Sequence, residues 1–172
     1  MTAHLTLTAE TVGPLLAALE SLGAEAEARR VAVLHDSGLV LAESGEEAHR
    51  DRGESGALAA GVFFAARQLA RRLGDEAFTG LHYEGASIDF LLADAGPETL
   101  LLVVFDDRTR PAIVRACVTK HLPAIAAAAA RLHEPPASPV DPATWLPTGP
   151  VFRETAAPAA PAGIDLASIF HS

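Results

Sequence analysis

Cysteine is almost missing from this chain: Cys117 is the only one in 172 residues. One thiol excludes an intramolecular disulfide and a thiolate metal cluster. Aromatic residues are scarce, at 5%, so packing rests on aliphatic side chains. Basic residues are also short, with 13 Lys and Arg against 22 Asp and Glu and a net charge of −9. Such a balance argues against nucleic acid, which needs a basic stripe, and against an anionic membrane surface. The fully apolar run 56–66 holds 11 residues, well under the roughly 18 that a bilayer span needs, so no membrane insertion is expected. Residues 1–16 lack the basic region and apolar core of a signal peptide, which predicts a cytoplasmic protein.

Catalytic motifs are missing as well. There is no phosphate-binding G-x-x-x-x-G-K-[ST] or G-x-G-x-x-G, no H-E-x-x-H, no C-x-x-C and no G-x-S-x-G. The seven histidines are scattered without ligand spacing. The expectation is therefore no catalytic residue, no metal and no cofactor. Three isolated features have ordinary readings. His35, Asp36 and Ser37 belong to a tight turn, where adjacent side chains point apart. His82 and Glu84 form a solvated or dimer-edge pair on one strand face. Cys117 is a small core residue on the apolar side of a helix.

Hydrophobic residues make up 49% of the chain, enough for a sizeable core. Thr8 or Thr11 can cap a first helix through Leu15, Leu16, Leu19 and Leu22, with Pro14 in its first turn. Residues 31–34 and 39–42 flank His35-Asp36-Ser37-Gly38 and read as a hairpin. A second helix covers 54–73, with Gly74 at its C-cap. Strands are expected at 78–84, 87–93 and 99–105, the last a continuous apolar run suited to a central strand. Asp106 or Asp107 then caps a last helix to about Leu132, with Pro111 in its first turn and a kink at Pro123. The expected fold is α+β, in the order α-β-β-α-β-β-β-α. Three helices accompany a five-stranded, mainly antiparallel sheet over 1–133.

Residues 134–172 form a separate Pro- and Ala-rich tail; 135–161 alone carries eight of the twelve prolines. Such a composition favours extended or disordered backbone. Two apolar islands interrupt it, around Trp145 and at 164–170, with Ile164, Ile169 and Phe170. They either fold back on the domain or dock on a partner.

The second helix is the unusual element. With no polar residue from 56 to 66 it has no solvated face there. Leu58, Val62, Leu69 and Leu73 are assigned to its own sheet. Ala57, Gly61 and Ala65 recur every fourth residue and form a small-residue line that lets another helix approach closely. Either a larger domain buries this helix or a second copy does, and the short chain favours the copy. Arg67, Gln68, Arg71 and Arg72 make the one local basic patch, a solvated helix end or a site for an acidic partner.

The order of elements and the runs VAVLHDSGLVLAES (31–44), ALAAGVFFAARQLARRLG (57–74) and LLVVFDD (101–107) resemble the Roadblock/dynein light chain family. That family's hairpin is built on D-G-x-x-x-A, here Asp36-Ser37-Gly38 with one inserted residue. The likeness covers roughly residues 8–132 and is nearest the bacterial MglB-like branch. It implies a homodimer in which central helices pack together and third strands pair. Ala57, Gly61, Phe64, Ala65, Gln68, Leu81 and Tyr83 would then lie at the interface. It also implies a non-catalytic dimeric regulator or scaffold that binds a small Ras-like GTPase and modulates its nucleotide state or hydrolysis. Arg67, Arg71, Arg72, Trp145, Ile164, Ile169 and Phe170 are the candidate partner contacts. The alternatives are a nucleotide-independent assembly adaptor docking partners through the tail, and a small-molecule sensor domain.

Overall fold

The computed structural model describes residues 8–46 and 53–133. Five strands lie in the order β2-β1-β5-β4-β3, and every neighbouring pair is antiparallel. Helices α1 (Ala9–Ala26) and α3 (Pro111–Ala130) cover one face of the sheet, and α2 (Glu54–Arg72) the other. The expected order of elements is present. The tail 134–172, with Trp145, Ile164, Ile169 and Phe170, lies outside the described residues.

Strand β5 (Thr99–Phe105) is central, and its uninterrupted apolar run has a direct cause. Side chains alternate across a strand, so a strand covered on both faces needs apolar residues at every position. Leu101, Val103 and Phe105 enter the core under α1 and α3, while Leu100 and Leu102 enter the core under α2. β1 (Arg30–His35) divides the same way, Val31 and Val33 to one side and Ala32 and Leu34 to the other. Against β1, β2 (Val40–Ser44) carries a bulge: Val33 faces Ala42 but Leu34 faces Val40. The extra residue lets Leu41 and Ala42 both turn into the α1/α3 core.

Thr8 caps α1 through a capping box with Thr11. Pro14 is therefore the sixth helical residue and lies beyond the first turn. Leu15, Leu19 and Leu22 are fully buried. For α3 neither Asp106 nor Asp107 is the cap. Arg110 holds that place and Pro111 opens the helix, because the Asp106 carboxylate is taken by the Arg108 N–H in the preceding turn. Backbone donation from Arg108 also holds the Asp106 carboxyl below the usual range. Glu25 on α1 accepts from Lys120 and His121 on α3 at 2.8 and 2.7 Å and clamps the two helices together. By length and composition α3 with its 3-10 extension, Pro111–His133, is apolar enough to cross a membrane. Here its Val114, Cys117, Val118, Ile125, Ala129 and Leu132 are core residues.

The second helix ends in a Schellman motif: Gly74 N–H donates to the Arg71 carbonyl and Asp75 N–H to the Ala70 carbonyl. Leu73 is the cap and Gly74, at φ +90°, follows it. The helix is turned the other way from the expectation. Gly56, Ala59, Ala60 and Phe63 are buried against the sheet, while Leu58, Val62, Leu69 and Leu73 are exposed. The cause is how closely the helix lies on the β1–β2 turn. A Cβ at Gly56 would sit 2.3 Å from the Gly38 carbonyl oxygen, and one at Gly38 would sit 2.4 Å from the Ala57 Cα. Leucine does not fit such a contact. The fully buried bulky side chain is Phe63, edge-on to the partly buried Phe64 and Phe78 that pack against the same core.

Candidate functional site

The start of α2 has no side-chain cap; Gly53 precedes it. A buried network takes over the anchoring. Arg30 on β1 donates from Nε to Glu43 on β2 at 3.0 Å and from Nη1 to Ser55 on α2 at 3.0 Å, and its Nη2 lies 2.8 Å from the same Glu43 carboxylate as an ion pair. With the turn contact at Gly38, this fixes which side of the helix faces outward.

That side is apolar. Ala57, Gly61, Ala65 and Gln68 form one exposed stripe, and Leu58, Val62, Leu69 and Leu73 a second beside it. Leu58 is 70% exposed and Leu69 60%, unusual for leucines in mid-helix. Among the described residues, a Cβ at Gly61 would meet nothing within 4 Å. Phe64 is half-buried at the margin of this surface, and Arg67 lies over its ring at 5.0 Å. The Arg67 Nε is buried and, among the described residues, without a hydrogen-bond partner. Arg71 and Arg72 are exposed in the last turn, where the helix dipole favours cations. The four basic-patch residues are thus divided, with Arg67 folded onto the domain.

Beside the helix the sheet ends in β3 (Gly80–Tyr83), shorter than the expected 78–84 and, among the described residues, paired only with β4 (Asp89–Asp94). The Thr79 carbonyl accepts from Asp94 N–H at 3.0 Å. Antiparallel alternation then makes Leu81 and Tyr83 the bonded partners of β4. Gly80 and His82 therefore present N–H and C=O groups to the open edge. Leu81 packs into the α2-side core, and the half-exposed Tyr83 stacks on Phe90 with ring centres 4.8 Å apart.

His82 points to the opposite face. Its Nε2 lies 3.3 Å from the Asp89 carboxylate, its Nδ1 3.2 Å from the Arg115 guanidinium, and its ring stacks on Phe105. The expected pairing with Glu84 is therefore replaced by one with Asp89 across the strand pair, because Glu84 lies beyond the end of β3. An open groove of about 600 Å³ runs between β3 and α3, lined by His82, Arg115, Val118, Leu122 and Pro123 among others.

The hairpin turn also differs in detail from the expectation. His35 Nδ1 lies 2.8 Å from Ser37 Oγ, so these side chains do meet. The contact belongs to the turn, since Ser37 N–H donates to the same nitrogen. A hydrolytic relay needs a carboxylate on the nitrogen remote from the hydroxyl. Asp36 instead sits at Nδ1, at 3.0 Å, and Glu98, on the Nε2 side, is 3.8 Å away and beyond hydrogen-bond reach. Burial pushes the Cys117 thiol up, as suits a core residue and not a nucleophile. Among the described residues, no group of three or more His, Cys, Asp or Glu is placed to hold a metal ion.

Sequence reasoning missed the exposed leucine stripe and the Asp89 and Arg115 partners of His82. The stripe had one available signal, the 56–66 run with no polar side to mark the outside. The His82 partners come from distant chain segments and left no local signal.

An open antiparallel sheet with two helices on one face, and a third that keeps an apolar surface beside a free strand, defines an α+β module of Roadblock type. The chain belongs to the Roadblock/LC7 domain family, whose model matches residues 15–105. Among solved structures it is similar to Myxococcus xanthus MglB at 24% identity and a TM-score of 0.67, covering 77% of this chain and 99% of that one. The gliding protein MglB of Thermus thermophilus gives 24% identity and 0.67, covering 76% and 99%. A Roadblock/LC7 domain from Streptomyces avermitilis gives 20% and 0.58, covering 64% and 92%. At these identities the likeness is one of fold. Comparison with curated protein sequences returns no match.

Proposed function

We propose that this protein is a cytoplasmic homodimeric regulator that binds a small Ras-like GTPase and modulates its nucleotide state or hydrolysis without supplying catalytic residues. The observation that carries the reading is the outward apolar surface of α2 lying next to the free edge of β3. A surface of this kind on so small a domain favours a protein partner over solvent. The dimer uses Ala57, Gly61, Phe64, Ala65 and Gln68 for close helix packing, and β3 with Leu81 and Tyr83 to continue the sheet. Hydrogen bonds from Gly80 and His82 to the second copy satisfy the open edge.

Arg71, Arg72 and the leucine stripe are the proposed contacts for the GTPase, with Arg67 at their margin. Binding favours a switch-loop arrangement already competent for hydrolysis. The GTPase part of the reading is supported by the MglB-like fold and by the family resemblance. Affinity capture from native extract, run with a GTP analogue and with GDP, tests it. A Ras-like GTPase recovered mainly in one nucleotide state is the expected result. Partners indifferent to nucleotide, lost on deleting 134–172, would replace this reading with the assembly adaptor.

A further inference from the structure

The open groove of about 600 Å³ between β3 and α3 lies on the face of the sheet away from α2. Its apolar lining includes Leu91 and Ala93 of β4, with Val118, Leu122 and Pro123 of α3. Leu91, Ala93 and Val118 belong to the core under α1 and α3, so core side chains come to the surface here. One cation sits among them. Among the described residues the exposed Arg115 guanidinium meets the His82 imidazole at 3.2 Å and no carboxylate. Lys120, the next cation along α3, is already taken by Glu25. An apolar groove with one unneutralised positive charge suits an apolar segment that carries a carboxylate.

The chain supplies one. From 155 to 170 the only charged residue is Asp165, set between Ile164 and Leu166 and followed by Ile169 and Phe170. The apolar island around Trp145 lacks this feature, with no charged residue from 142 to 152. Reach is no obstacle. Residues 134–163 join the segment to the end of the 3-10 turn at His133. A linker of that length reaches about 30 Å even as a random coil. From Pro123, in the groove wall, to His133 is only about 15 Å along the helix. Tethering at such a distance gives an effective concentration in the millimolar range, so a weak contact is enough.

We propose that residues 164–170 dock in this groove of their own chain, with Asp165 on the Arg115 guanidinium and the neighbouring apolar side chains against Val118, Leu122 and Pro123. Burial of apolar surface contributes most of the affinity, since an ion pair this exposed adds little. The carboxylate selects this segment over the Trp145 island. Docking here leaves α2, on the other face of the sheet, free for partners, and it needs neither the dimer nor the GTPase of the reading above.

Methyl NMR on the full chain, labelled at Ile, Leu and Val, tests this. Nuclear Overhauser contacts from Ile164, Leu166 or Ile169 to Val118 and Leu122 are the expected result. Asp165→Arg, which lies outside the domain and leaves its core untouched, should lower the docked-to-free ratio roughly fivefold, the effect of one exposed ion pair. Arg115→Asp should do the same, and combining the two should restore the contacts. Ile164, Leu166 and Ile169 methyls at random-coil shifts overturn the docking, as do contacts to Leu58 and Leu69 on α2. Contacts that neither single variant weakens overturn the Asp165–Arg115 pairing on which the placement rests. In a sample mixing differently labelled copies, contacts seen only between copies overturn docking within one chain.

Discussion

Gly61 sits in the middle of α2, on its exposed side, with open space where a Cβ would be. Glycine in a helix interior costs about 1 kcal/mol relative to alanine, and arginine is nearly as good a helix former as alanine. Among the described residues of one protomer nothing requires this glycine, so Gly61→Arg should stabilise the folded chain by about 1 kcal/mol. For a domain of this size that is a melting-temperature rise of roughly 3–5 °C. If Gly61 exists to let a second α2 approach, the same substitution should dismantle the dimer. Overpacking costs about 1–3 kcal/mol per site, and a two-fold interface counts each site twice. The dimer dissociation constant should therefore rise between about thirtyfold and ten-thousandfold. Circular dichroism melts at a concentration where the wild type is monomeric measure the first effect, and a sedimentation-velocity dilution series the second. A folded Gly61→Arg that dimerises as tightly as wild type refutes the interface. A melting temperature that falls refutes the claim that the protomer leaves this position free.

Three further outcomes follow from the packing and charge of the described residues. Phe63→Ala should cost about 3–5 kcal/mol in urea unfolding, because Phe63 is the fully buried bulky side chain that α2 places against the sheet. Gly38→Ala should cost at least about 2 kcal/mol, since φ is +88° there and the new methyl would press on the Ala57 backbone. The Glu25 carboxyl should titrate below the usual glutamate range by NMR, held down first by its hydrogen bond to Lys120 and then by that to His121. A depressed carboxylate stabilises the fold above its unfolded pKa and loses that contribution as pH falls through the folded one. Lys120→Met should move the Glu25 titration back toward the ordinary range; an unmoved titration would refute the clamp.

Local chemistry alone settled most of the secondary structure. Period-two alternation, the hairpin turn at 35–38, the Gly74 helix end and the doubly apolar β5 are each dictated by a few neighbouring residues, and the structure has them all. The sequence also determined that one helix carries more apolar surface than its own sheet can cover. Tertiary structure alone decided which stripe of α2 faces inward, because a run without polar residues has no mark for the outside. Contact of Gly38 with Gly56 and Ala57, the Arg30–Glu43–Ser55 network and the bulk of Phe63 made that choice, turning Leu58 and Leu69 outward. The setting of His82 was decided in the same way. Its partners lie 7 and 33 residues away, and only the β3–β4 register and the placement of α3 bring them to one imidazole.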